Sequence, residues 1–563
     1  MSPALRHGIR AYTTLQATAL HESVPPDRWC ITRADLKYLG EEVWKAILSG
    51  EIQQPDDGSD DFQVLDTTYG PSIYTVNKQH IMPVTEKYGK VSWALLLHPD
   101  GLDCDIFISH AWQEGVFEFL SKVLHSWPVD ARHAWCCMLA NPQNLDIGSL
   151  LQSPISSPFA LALKASKYVL VVPNHRGSIY TRLWCGYEAY RAQEEGRTII
   201  LARASNHQQL AFALLQVFLA GLVGLLSGWM LLSYSGWQVP LLLSVAVGAV
   251  SISATINHDI SRKALNLIGA LTCGIICANW RTLSSTCLYS SASLPFVGQR
   301  QRVISTLSFF LSVFLEVDRA NGKARMGEAR QLSHGYEGIR HARCSQQADA
   351  DRIFQEIGKR IEEVDHAIHV LLLAGMSSAT LREMSRRGFD IRDAGYAEIA
   401  VPCAAMVPGG LLTLWTLTIE IMNENGLFPA WTVLLLTRIA ILVVLWFSPR
   451  DERCFILKMM AKVLALYFGL ACPLLLVWQY FDGASPSCTA PPSWTALALT
   501  VYLFILGLAS LGMRRLADLP FCGPCLLQLI LARGRRVFSG AIQPDSQFAS
   551  DTDPSDSSDD SSR

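Results

Sequence analysis

From about Ala211 onward the chain is divided into apolar runs, each close to the ~20 residues that a helix needs to cross a bilayer. The runs are 211–233, 238–256, 264–280, 399–422, 430–448, 459–480 and 494–513. A shorter one, "VISTLSFFLSVFLEV" at 303–317, is marginal and brings the count to eight. In lipid every backbone amide must be satisfied within its own segment, so such runs are restricted to helices. Charged residues make up 17% of the 563 residues, below the ~25% of ordinary soluble chains. A net charge of −2 leaves no overall basic footprint, so nucleic acid is not an expected partner.

Flanking charge gives the runs a direction, because Lys and Arg concentrate on the cytosolic side. With the N-terminus inside, the outer connections are 234–237, 281–302, 423–429 and 481–493. Three of these carry no Lys or Arg, and the exception holds Arg281, Arg300 and Arg302. The inner connections carry Arg262 and Lys263, thirteen basic residues across 318–398, Arg450 and Arg453, and Arg514 and Arg515. The expectation is eight crossings, with four helices in 206–317, four in 399–513, and both termini cytosolic. "MSPALRHGIRAYTTLQATAL" has no uninterrupted apolar core, so no cleaved signal peptide is expected.

Arg438 falls within "LLLTRIAILVVLW", where a charge is costly without a partner, and Glu420 is the nearest acid. The pair reads either as a polar site between helices or as a structural ion pair. "VPCAAMVPGGLL" (401–412) predicts a kinked or broken helix, a device that transporters use at substrate sites. Cys287 and Cys488 are the cysteines this topology places in non-cytosolic connections, where a disulfide could form.

Residues 318–398 are too long for a simple turn. Ile353, Ile357, Ile361, Val364, Ile368 and Leu371 recur at helical steps and predict one amphipathic helix. It could dock on the N-terminal domain, on a partner, on a copy of itself, or along the membrane surface. "SSATLREMSRRG" predicts a second helix with a serine cap and a glycine stop. The segment 514–563 is basic near the membrane and ends in an acidic, serine-rich stretch that has the composition of a disordered tail. Its "CGPC" matches a thioredoxin redox motif in letters but has no βαβ context. Structural or acylated cysteines suit the place better.

Upstream, residues 103–204 alternate short apolar strands with amphipathic helices, which predicts a parallel sheet covered on both faces. "CDIFIS", "HAWCCML", "YVLVVP" and "TIILA" are the strand candidates. Residues 1–100 form an extension in which "ITRADLKYLGEEVWKAILSGEI" is a capped helix and "VSWALLLH" a strand candidate.

"DIFISHAW", "SPFALALKASKYVLVVPN" and "RLWCGYEAY", in that order and spacing, resemble the TIR (Toll/interleukin-receptor) domain over about residues 101–205. The resemblance implies a flavodoxin-like α/β fold, and the apolar runs after it predict an all-α multi-pass membrane domain. It departs from the family in lacking the Arg-Asp-x-x-Pro-Gly loop. Its last strand also runs almost directly into the first apolar run, which leaves little room for the family's final helix. The extension 1–100 is expected to supply the missing packing.

The resemblance implies self-association with other TIR domains and, in one branch of the family, cleavage of NAD. Glu188 matches the glutamate of that branch, which makes NAD+ a candidate substrate. A carboxylate there would stabilise oxocarbenium character on the ribose as nicotinamide leaves. Helical spacing puts Trp184 and Arg191 on the Glu188 face, lining the candidate nucleotide site. Read as an exposed helical residue, Glu188 should tolerate alanine with little loss of stability. No metal site is expected. The leading expectation is a membrane protein that signals through a cytosolic TIR-like domain. A membrane-tethered NAD hydrolase, and a transporter or channel regulated by that domain, are the alternatives.

Overall fold

The computed structural model describes residues 11–145, 153–231, 238–255, 258–278, 295–392, 511–520 and 522–531, with isolated positions between 394 and 507. The runs between 399 and 513 therefore lie almost wholly outside the described residues, as do Arg438, Glu420, Cys287 and Cys488.

The described residues are mixed α/β and mostly helical, around a six-stranded sheet in the order β1-β3-β2-β4-β5-β6. Its centre consists of β2 (Ile106–Ser109), β3 (His133–Cys136), β4 (Tyr168–Val171) and β5 (Thr198–Leu201), all parallel. β2 and β4 are buried at every position, as continuous apolar runs between two helical layers should be.

Both edges are antiparallel and come from outside that region. β1 (Ile31–Thr32) pairs with β3, Ile31 opposite Ala134. β6 (Met376–Ser377) pairs with β5, Ile200 opposite Met376. The sheet is thus mixed rather than purely parallel, and its domain does not end near residue 205.

The helices follow their local signals. α1 (Arg33–Leu48) starts at Thr32, whose hydroxyl accepts from Asp35 N while the Asp35 carboxylate accepts from Thr32 N. α2 (Val116–Ser126) follows β2, and α3 (Pro158–Ala165) begins with a proline after the capping Ser157. α4 (Leu183–Glu194) closes before Gly196, whose φ is +64°. "VSWALLLH" is not a strand: Trp93–Leu97 is a short helix because the Ser92 hydroxyl accepts from Leu95 N.

Downstream, α5 (His207–Leu231), α6 (Gln238–Thr255), α7 (Asp259–Ala278) and α8 (Pro295–Ser333) pack on one another. Among the described residues two helices are long and apolar enough to cross a membrane, His207–Met230 and Asp259–Ala278, and Leu241–Val250 is a shorter apolar stretch. The described residues do not show an eight-crossing, all-helical domain. α5 and α7 meet backbone to backbone: a Cβ on Gly224 would lie 2.0 Å from Leu271 O, and one on Gly274 2.0 Å from Gly221 O.

The segment read as a cytosolic loop is built into the sheet domain. α8 does not stop at residue 318 but continues to Ser333, after which Ser178 N donates to His334 O at 2.9 Å. Leu183 N donates to Arg343 O at 2.8 Å, and Arg343 N donates to Thr181 O at 2.7 Å. The single amphipathic helix is two, α9 (Gln347–Ile357) and α10 (Ile361–Ala374), broken where Gly358 takes φ +57°. α10 packs on α4 and β5, then Gly375 in the left-handed conformation turns the chain into β6. α11 (Ala379–Arg386) follows, its first turn capped by Ser378. The space beside β5 is therefore filled from the far side of the apolar helices, whereas residues 1–100 complete the opposite edge.

Gly186 on α4 records how closely this linker approaches, since a Cβ there would lie 2.1 Å from the fully buried Ile339 Cδ1. Gly186→Ala should destabilise the domain by about 1–3 kcal/mol through overpacking. Ile339→Val in that background removes the colliding methyl and should recover most of the loss, as read by thermal unfolding of the solubilised chain. Failure of the second change to rescue the first would mean that the linker does not seat here.

Candidate functional site

Among the parallel strands, β3 and β4 lie on opposite sides of β2, so chain order reverses there. In open α/β sheets ligand sites form at the carboxyl ends of the strands beside such a reversal. The chain leaves β2 through Ser109, His110, Ala111 and Trp112, and Glu188 comes down onto this end from the second turn of α4.

Glu188 is buried, and Ser109 Oγ donates to its Oε2 at 2.5 Å. Burial pushes its carboxyl up to about 7, against the Ser109 hydrogen bond and the nearby Arg182 guanidinium, which both favour the ionised form. A carboxyl group poised near neutrality can exchange a proton at physiological pH.

Its neighbours are also buried and titratable. His110 Nε2 lies 3.1 Å from Cys137 Sγ and 3.6 Å from Cys136 Sγ, and the Cys185 thiol reaches His110 O at 3.7 Å. His110 Nδ1 lies 2.9 Å from Glu114 Oε1, too poorly angled for a hydrogen bond. Burial, with Arg182 adding to it, drives the imidazole down to about 3, so it is neutral. Burial and the charge of Glu118 hold Glu114 well above the usual carboxylate range. Burial likewise raises the Cys136, Cys137 and Cys185 thiols, which leaves them protonated and poor nucleophiles. The Tyr180 hydroxyl is buried without a hydrogen-bond partner among the described residues.

The two flanking residues expected on the Glu188 face are placed differently. The Trp184 ring stacks on Phe159 at 5.7 Å and meets Tyr187 edge-on at 5.9 Å, so it packs α4 against α3. Arg191 pairs with Glu195 at 2.7 Å and reaches Glu356 of α9 at 3.9 Å; it is engaged with the linker. The cation near Glu188 is Arg182, one residue before α4, and the hydrogen-bond donor is Ser109. Both stand inside the quoted motifs, and the end-of-strand position of Ser109 was the available signal. Among the described residues no cluster of three or more His, Cys, Asp or Glu side chains could hold a metal ion.

Comparison of the chain with protein-family models, curated proteins and solved structures gave no significant match.

Burial also changes what substitution at Glu188 should do. Alanine would leave a cavity and strand the Ser109 hydroxyl, so the mild effect of an exposed helical site does not apply. A carboxyl raised from 4.5 to about 7 makes the native state bind more protons than the unfolded chain between those values. Its contribution to stability is therefore full below about 4.5 and is lost as pH rises through about 7. Glu188→Gln should remove that dependence and be the more stable protein at pH 8, by roughly 3 kcal/mol at most. Parallel melting curves for wild type and variant between pH 4.5 and 8 would disprove the buried carboxyl.

Proposed function

We propose that the chain is a multi-pass membrane protein presenting a cytosolic TIR-like domain, which signals by self-association or by recruiting a partner. The observation that carries this reading is α8, one 39-residue helix that includes the apolar stretch 303–317 and ends inside the α/β domain. There the buried Lys122 ammonium of α2 pairs with Glu118 at 2.9 Å and with Glu328 of α8 at 2.6 Å. It also donates to Pro173 O and to Gln331 Oε1, each at 2.8 Å. A helix joined this way moves the sheet domain when it moves, which is what a receptor-like coupling requires. The exposed apolar side chains of α5, Phe212, Leu215, Leu219, Leu222 and Leu226 among them, suit a lipid-facing surface.

Homotypic contact is testable on the full chain in nanodiscs, where amine cross-linking should give dimers or larger species. A chain that stays monomeric and releases nicotinamide from NAD would favour the second reading, a membrane-tethered NAD hydrolase. That reading is supported by the place of Glu188 at the end of β2 and by its raised carboxyl. In this conformation the carboxylate is covered, so a ribose could reach it only after the covering side chains part. If NAD is cleaved, Glu188→Gln should lower turnover a hundredfold or more, the scale for a group that meets developing charge. Turnover that survives the change would remove Glu188 from the chemistry.

The coupling has its own test. Lys122→Met removes the ammonium shared by Glu118 and Glu328 and should cost about 3–5 kcal/mol, because two buried carboxylates lose their common cation and keep only His175 and the Ala204 amide. Proteolysis in the α8–α9 connection should rise in parallel. Unchanged melting and unchanged cleavage would separate α8 from the domain.

A further inference from the structure

Among the described cysteines only Cys522 and Cys525 are exposed; the others are buried or half-buried. They flank Gly523 and Pro524 at the start of α12 (Gly523–Leu531), just past the apolar run 494–513. The motif has a packing explanation. A Cβ on Gly523 would lie 2.3 Å from Leu516 O, so only glycine permits this approach between α12 and the preceding 511–517 helix. Pro524 occupies the first helical turn, where its missing N–H is harmless, and Leu526 N donates to Cys522 O at 2.9 Å. Glycine and proline thus serve a tight helical corner, and the described residues shortly before the first cysteine, 511–517, are helical rather than the strand that thioredoxin chemistry requires.

The corner is fixed in place. Arg514 pairs with Glu383 of α11 at 2.8 Å, and Asp518 with Arg387 at 2.8 Å. Met513, Leu516 and Leu527 are fully buried in the core that also holds Met384 and Ile391. One side of α12 is therefore seated through Leu527, while Cys522, Cys525 and Gln528 are left open to solvent. Arg515 is exposed seven residues before Cys522, a charge that suits anionic headgroups.

We propose that Cys522 and Cys525 are S-acylation sites, each carrying a long-chain fatty acyl group that anchors this corner to the membrane surface. This rests on the membrane reading above, with 494–513 as a crossing. The donor class is a fatty acyl-coenzyme A. The cysteine sulfur attacks the thioester carbonyl, a new S–C bond forms, and the C–S bond to coenzyme A breaks. Coenzyme A leaves as a thiol with the proton the cysteine gives up, and nothing is oxidised or reduced. Two chains so close together suit stable anchoring, since one chain alone holds a surface only weakly.

The experiment uses the full chain expressed in cells. Free thiols are blocked, thioesters are opened with hydroxylamine, and the released thiols take a polyethylene-glycol maleimide that retards the band. Wild type should gain two tags, Cys522→Ser and Cys525→Ser one each, and the double variant none. Incorporation of an alkyne-tagged palmitate should fall in the same order. Cys522→Ala and Cys525→Ala, equally mild at exposed positions, should repeat the pattern. A wild type without hydroxylamine-dependent tags overturns the proposal, as do tags that persist in the double variant or thiols released only by reductant. Carbonate extraction of the same samples reads the membrane assignment separately, because a chain with crossings stays in the pellet whether or not it is acylated.

Discussion

The structure depends on one buried ammonium group. Lys122 sits behind β4 with almost no exposure, and an unpaired charge there would be prohibitively costly. Its partners come from three places in the chain: Glu118 one turn back on α2, Pro173 just after β4, and Glu328 with Gln331 more than two hundred residues away on α8. Glu328 also accepts from Ala204 N at the exit of β5. The network makes α8 part of the domain's interior. It positions the chain to run on through His334 and Arg343 into α10 and β6, which close the sheet beside β5.

Around this frame the molecule keeps its polar groups apart by environment. The domain–linker contacts near the surface are ordinary ion pairs and hydrogen bonds, such as Arg360 to Glu194 and Gln193 to Glu363, each individually weak. At the end of β2 the same residue types are enclosed, and enclosure decides their charge. Glu188 moves toward neutrality, His110 loses its proton, and Glu114 keeps its own. Desolvation sets these protonation states, with Ser109 and Arg182 limiting how far the Glu188 carboxyl rises.

Much of the domain could be read from residue order. Four apolar runs of strand length gave the four parallel strands, the expected capped helix is α1 with Thr32 and Asp35 as its cap, and Ser378 and Gly388 bounded α11 as their chemistry predicts. The failures have identifiable causes. "VSWALLLH" has strand-like composition, but one serine hydroxyl satisfies the amide of a helical turn. The periodic isoleucines across 353–371 hid a break, because Gly358 keeps the pattern while reversing its own φ. Trp184 and Arg191 share the helical spacing of Glu188 yet face α3 and α9, since nearest neighbours on a helix diverge when different elements pack on each side.

The sequence by itself determined the local elements, the apolar helices among the described residues and the placing of Glu188 on a helix after a buried strand, because these follow from short-range periodicity and capping. Only the tertiary structure decided that the sheet has six strands, that its last edge comes from beyond the apolar helices, and that Glu188 is buried against Ser109. Two-residue strands such as β1 and β6 carry no periodic signal of their own. They exist because a neighbouring edge offers unpaired amides, and that offer appears only once distant segments have been brought together.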